Sequence, residues 1–221
     1  MDSDEAEVLL GSGPDGVADW NRRRNSGEQQ PLQFRPDAFA DPNRYSLDMQ
    51  GVDLGGCSLV GSKLWNANLK GAHLYQTDFS GALLSRAELV GAHLVGARLD
   101  GAALGGARLD HAELREASLR DVSVAGYDSG ASFHRALAER ADLGGAELRA
   151  CDFSHADLRE AVFLGAQLVD SRFDGADLSG ADLRGADLRE TSFVGANLDG
   201  ADFRDADLGN ADLREARMIG S

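Results

Sequence analysis

Four residues with metal-ligating chemistry recur at one interval: Asp53, His73, His93 and Glu113 lie 20 residues apart. Two imidazoles and two carboxylates make a donor set suited to zinc or a similar ion, provided the chain returns to the same place every 20 residues. Four unrelated side chains on a convex surface account for the same pattern more simply, so no metal and no other cofactor is expected. His111, His134 and His155 share no such interval. The chain has no Cys-x-x-Cys pair, phosphate-binding loop or nucleophile elbow. Its many Ser and Asp residues lack the oriented base and oxyanion site that nucleophilic catalysis needs. An enzyme is therefore not expected.

A 20-residue return follows from a shorter period. From residue 52 onward one five-residue phrase repeats, as in Ala181-Asp182-Leu183-Arg184-Gly185 and Ala186-Asp187-Leu188-Arg189. Large apolar centres run from Leu54 to Val124 and again from Phe133 to Met218, 33 in all, of which 23 are Leu and 7 are Phe. Two residues before each centre stands a small residue, Ala in 25 of them. A spacing of two puts both on one side of an extended strand, facing a common interior, and points the residue between them outward. The last two residues of each unit turn the chain. Gly fills the second of these in 17 units, which fits a corner with positive φ. A single unit cannot bury its apolar pair, so the units must stack.

The phenylalanines set the number of units per turn. Phe133, Phe153, Phe173 and Phe193 recur every 20 residues. Four units per coil would stack these rings at roughly 4.8 Å, giving about eight coils and a rod of roughly 40 Å. The fold class is therefore all-β, a parallel β-helix with four sides. With such a run of in-register units, residues 47–218 resemble the pentapeptide repeat family, whose members form a right-handed quadrilateral parallel β-helix. The resemblance is specific for fold and says much less about role.

Four segments are expected: a short helical cap and linker over 1–46, a first repeat run over 47–124, a register break over 125–141, and a second run over 142–221 with a dimerising end. In the first segment, Glu5–Leu10 reads as a short helix. Asp15–Asn25, opened by Pro14 and carrying Trp20 and Asn21, reads as a second. Their task is to close the first coil. At the break, Val124 and Phe133 are nine residues apart instead of ten, which reads as one lost residue. A tightened corner explains it; a projection carrying Tyr127, His134, Arg135 and Arg140 is the functional alternative. At the other end the last coil would expose Phe203, Leu208, Leu213, Met218 and Ile219 with open backbone edges. Two-fold pairing through these coils is the simplest cover.

Charge divides the rod. The net charge of −15 splits into −5 over residues 1–50, −2 over 51–130 and −8 over 131–221. The last stretch holds roughly one net negative charge per 2.7 Å, against about one per 1.7 Å in duplex DNA. This arrangement resembles the branch of the family that confers quinolone resistance or antibiotic self-immunity. The resemblance implies a DNA-shaped dimer that binds DNA gyrase or topoisomerase IV and protects it from poisons. The phosphate substitutes would be the outward Asp142, Asp152, Asp157, Asp177, Asp182, Asp187, Asp202, Asp207 and Asp212. A general protein-interaction scaffold with another partner is the alternative, since Arg184, Arg189, Arg204 and Arg214 dilute the field. Direct nucleic-acid binding is not expected at this charge. Trp65 and Tyr75 are candidates for an apolar partner patch. Cys57 and Cys151 occupy small inward positions and read as free core thiols, too far apart to bridge. No segment reads as a signal peptide or membrane span, and the cytoplasm is the expected location.

Overall fold

The computed structural model describes residues 1–27, 30–35, 39, 47–125 and 130–221. Two helices come first, α1 (Ser3–Gly11) and α2 (Pro14–Asn25). Asp2 caps α1 and Glu5 returns the favour, so two otherwise orphaned N–H groups are satisfied reciprocally. Pro14 opens α2 at a position where its missing N–H costs nothing.

The rest is a four-sided parallel β-helix. Outward residues pair in parallel with those 20 positions on, in four columns that begin at Asp48, Asp53, Ser58 and Lys63. Each unit makes the same bonds. In one of them, Asp182 N–H donates to the coil before, at Ala161 C=O (2.9 Å). Leu183 N–H donates to the coil after, at Asp202 C=O (2.8 Å), and so does the corner Gly185 N–H, at Arg204 C=O (3.0 Å). Ala186 N–H closes the turn onto Leu183 C=O. Extended segments of three residues thus pair their backbone groups with the coils on either side. The corner residue takes positive φ throughout, 65° at Gly185 and 60° at Glu190.

The interior is filled by the Ala–Leu pairs and by an aromatic ladder. Phe133, Phe153, Phe173 and Phe193 stack with centroids 4.6, 4.8 and 5.1 Å apart and planes within 13°. Phe163 meets the ladder edge-on from the adjacent side. Three hydroxyls at small positions are satisfied inward, since Thr77, Ser171 and Thr191 each donate to a backbone carbonyl of the preceding coil, whereas the buried Ser62 hydroxyl finds no partner among the described residues. Cys57 and Cys151 are buried and unbridged. Burial pushes both thiols up, Cys151 to about 12, so neither is a nucleophile near neutral pH.

The register break differs from the sequence reading. Arg108 pairs with Ser132, Glu113 with Leu137, Ser118 with Asp142 and Ser123 with Glu147, an offset of 24 where the other steps from Asp48 onward have 20. Four residues are therefore inserted at one corner; none is lost. Nine residues between centres can mean two units less one or one unit plus four, and only pairing with the neighbouring coil decides. The irregularity is also shorter than 125–141, because bridges resume at Ser132 and continue through Leu137 and Asp142. His134, Arg135 and Arg140 consequently sit in regular coils and not on a projection. Tyr127 lies outside the described residues. At Leu137–Ala138 the large side chain points outward and the small one inward.

The first coil is closed by side chains that imitate a preceding coil. Asn21 Oδ1 accepts from Asp53 N–H and Asn21 Nδ2 donates to Gly51 C=O, both at 2.8 Å. Trp20 Nε1 donates to Asp53 C=O, and the Arg24 guanidinium to Gly55 C=O. Residues 20, 21 and 24 share one side of α2, which fits the backbone pattern of one face. The Ser58 column is covered by chain instead: Ser58 N–H donates to Leu32 C=O and Phe34 N–H to Ser58 C=O, each 2.8 Å.

Candidate functional site

The nine outward aspartates do not form one face. Asp142, Asp182 and Asp202 stand in the Ser58 column, Asp157 and Asp177 in the Asp53 column, Asp187 and Asp207 in the Lys63 column, and Asp152 and Asp212 in the Asp48 column. Negative charge is therefore spread around the rod.

Most of these carboxylates are answered where they stand. In Asp-x-Arg units the arginine two residues on folds back and grips the carboxylate with two nitrogens. Arg159 does so to Asp157, Arg184 to Asp182, Arg189 to Asp187, Arg204 to Asp202 and Arg214 to Asp212. Asp142 is met by Arg120 at 3.0 Å and Asp207 by Arg189 at 3.7 Å, so seven of the nine have an arginine within ion-pair distance. The same side-chain hydrogen bonds hold the carboxyls of Asp157, Asp182, Asp187 and Asp212 below the usual range, and that of Asp202 at about 2. Asp152 and Asp177 have no arginine within ion-pair distance among the described residues; each accepts from the N–H two residues on. The two-residue spacing is visible in the sequence. That both side chains leave the coil on the same side, close enough for a bidentate grip, required the corner geometry.

Other acids stay open. Asp170, Glu190, Asp205 and Glu215 occupy left-handed corners, φ 60° to 63°, and their carboxylates form no hydrogen bond or salt bridge among the described residues. Corner position alone does not keep an acid open, since Glu160 holds the same corner, φ 56°, and is gripped by Arg140 at 2.8 Å.

The 20-residue histidine column is real. Asp53, His73, His93 and Glu113 are bridged in succession, with the two imidazoles 5.1 Å apart edge-to-face and His93 Nδ1 3.2 Å from Glu113. Asp53 is turned away, accepting from Gly55 N–H and facing Arg24 at 3.6 Å. Among the described residues no three His, Cys, Asp or Glu side chains converge on one ion position.

Trp65 and Tyr75 do not make a patch. Ten residues is half of a 20-residue coil, so they project from diagonally opposite corners. Tyr75 lies across Gly55, where any Cβ would come 2.3 Å from its ring.

The last coil presents an edge. The N–H groups of Phe203, Leu208, Leu213 and Met218 find no acceptor among the described residues, whereas their counterparts one coil earlier all do. Phe203, Leu208 and Leu213 are half-buried, and Ile219 is 71% exposed. No helix among the described residues is long and apolar enough to cross a membrane.

The sequence profile described as Pentapeptide repeats matches this rod in eight copies, over residues 48–86, 87–123, 129–165, 146–185, 166–205 and 181–220. The chain belongs to the pentapeptide repeat family. Members fold as a right-handed β-helix and are in general non-enzymatic scaffolds. Among solved pentapeptide repeat structures, HetL from the cyanobacterium Nostoc sp. strain PCC 7120 is 27% identical, with a TM-score of 0.64, over 89% of this chain and 94% of that one. HetL is described as involved in heterocyst differentiation regulation. The plasmid-mediated fluoroquinolone resistance protein QnrB1 is 20% identical over 85% of this chain and 82% of its own, with a TM-score of 0.38. A thylakoid lumen pentapeptide repeat protein from Arabidopsis thaliana is 28% identical over 55% of this chain and 68% of its own, also at 0.38. Comparison with curated protein sequences gave no significant match.

Proposed function

We propose that this pentapeptide repeat chain is a non-enzymatic, rod-shaped scaffold that binds another protein, and not a close charge mimic of DNA. The observation that carries this reading is the in-place pairing of outward aspartates with arginines, seven of nine within ion-pair distance. A DNA mimic must offer charge to a basic partner, and a carboxylate already gripped by a guanidinium offers little. What such a surface does offer is alternating donors and acceptors on a rigid frame. The likeness to HetL supports a regulatory setting.

The second reading is protection of DNA gyrase or topoisomerase IV from poisons, as in antibiotic resistance or self-immunity. The net −8 of residues 131–221 and the open corner acids Asp170, Glu190, Asp205 and Glu215 favour it. Supercoiling and poison-induced cleavage by gyrase, measured with the purified chain at micromolar dose, separate the two. No effect is expected; protection would establish the second reading. In either reading the open edge at Phe203, Leu208, Leu213, Met218 and Ile219 pairs with a second copy, whose matching edge supplies both apolar surface and hydrogen-bond partners. A cytoplasmic location fits both.

A further inference from the structure

Three imidazoles that share no sequence interval lie on one edge of the rod. His111, His134 and His155 occupy the corner between the Asp48 and Asp53 columns on three successive coils. His111 N–H donates to His134 C=O at 2.9 Å, and Arg135 N–H to Ser154 C=O at 3.0 Å, which fixes the order. The four-residue insertion is what sets His134 against His111. Ring centres are 6.3 Å apart for His111–His134 and 5.6 Å for His134–His155, both edge-to-face.

His111 and His155 stand at left-handed corners, φ 58° and 59°, a backbone shared by every described corner of the rod, with or without glycine. Other features separate this ladder from ordinary surface histidines. No ring nitrogen of the three has a hydrogen bond or ion pair among the described residues, whereas His93 is engaged by Glu113. Gly175 leaves the space that the His155 ring fills, since a Cβ there would come 2.6 Å from its Nδ1. His111 and His134 share a shallow concavity of about 550 Å³ with Ser132, Asp152 and the Arg108–Asp110 ion pair, and His155 lies just outside it.

We propose that His111, His134 and His155 form a binding site for one borderline divalent transition-metal ion of the Zn²⁺ and Ni²⁺ type, with water completing its shell. Neutral imidazoles are the preferred ligands of such ions. Two imidazoles on one tetrahedral ion, with metal–nitrogen bonds of about 2.0–2.1 Å, hold their ring centres roughly 5–6 Å apart. His134 and His155 already meet that span, and His111 and His134 exceed it slightly. In the rotamers of the structure the three rings do not converge on one point. The ion draws them together by side-chain rotation, which the two exposed outer rings make within nanoseconds.

Titration of the untagged 221-residue chain with Co²⁺ and Ni²⁺ at neutral pH tests the site, read by calorimetry and by the visible absorption of bound Co²⁺. One ion per chain is expected. His134→Ala, the central rung, should weaken binding about tenfold or more. His111→Gly should do the same while relieving the left-handed corner, so that lost binding with unchanged thermal stability cannot be blamed on unfolding. His93→Ala should leave affinity unaltered. The proposal is overturned if no ion binds, if binding survives both His134→Ala and His111→Gly, or if it is lost in His93→Ala alone, which would move the ion to the Asp53 column.

Discussion

At the first coil the side chains of α2 perform the hydrogen bonding that backbone performs everywhere else, whereas at the last coil the corresponding groups have no partner among the described residues. The two edges are complementary rather than identical: the first coil turns the N–H and C=O of outward residues such as Asp53 towards the cap, and the last turns out the N–H groups of its large centres. What differs is that Trp20, Asn21 and Arg24 reproduce a neighbouring coil's donors and acceptors along one face, while Leu32–Phe34 covers a second face with actual chain. An open edge costs little while water solvates it, but it leaves apolar centres half-exposed and templates further pairing. The comparison teaches that one helix with three well-spaced side chains can stand in for a neighbouring coil.

The largest expected effect is at the covered end. Trp20 is fully buried between the cap and the first coil, so Trp20→Ala should lower stability by about 3–5 kcal/mol in urea denaturation. If the cap merely rests on the rod, the loss will be far smaller. Next, Leu183→Ala and Leu213→Ala compare one side chain type in a covered coil and in the edge coil. The first should cost about 2–5 kcal/mol and the second clearly less. Equal costs would mean that Leu213 is covered in solution, as a paired second copy requires. Asn21→Ala isolates the polar part of the cap: it strands Asp53 N–H and Gly51 C=O, for about 1–3 kcal/mol. Hydrogen exchange sharpens the same contrast without mutation. The amides of Phe203, Leu208 and Leu213 should exchange fast and those of Leu183 and Leu188 slowly, with protection of the first group rising with concentration if copies pair.

Acid gives the smallest effect. The carboxyls of Asp157, Asp182, Asp187, Asp202 and Asp212 titrate lower in the folded chain than the roughly 3.9 of an unfolded aspartate. Their contribution is therefore present above about pH 4 and is lost as pH falls through the folded values, about 2 for Asp202. These pairs are exposed and screened, so the loss should be modest. It should appear in the second run of coils, where the Asp-x-Arg units cluster, as faster exchange below pH 4. An acid response spread evenly along the rod would count against local pairing as its source.

Sequence and structure agree most closely where the cause is local. The five-residue phrase determines a three-residue strand and a positive-φ corner in each unit, because side-chain alternation and the steric freedom of glycine act within a few residues. The Phe133–Phe193 spacing determines four units per coil, because identical rings stack only when the chain returns to the same corner. The helices at Ser3–Gly11 and Pro14–Asn25 follow from their caps. The Asp53 to Glu113 column follows from the same period. Three things required the tertiary structure. The break is an insertion of four residues, since the count of nine is ambiguous until the adjacent coil's pairing is known. The aspartates are spread over four faces and mostly held by arginines, since the corner decides which way a side chain two residues on returns. The alignment of His111, His134 and His155 exists only after the insertion shifts one stretch of chain against the next. A period written in the sequence fixes what each residue faces within its own coil. Which residues lie above and below depends on the sum of every unit and irregularity between them, and only stacked coils reveal that sum.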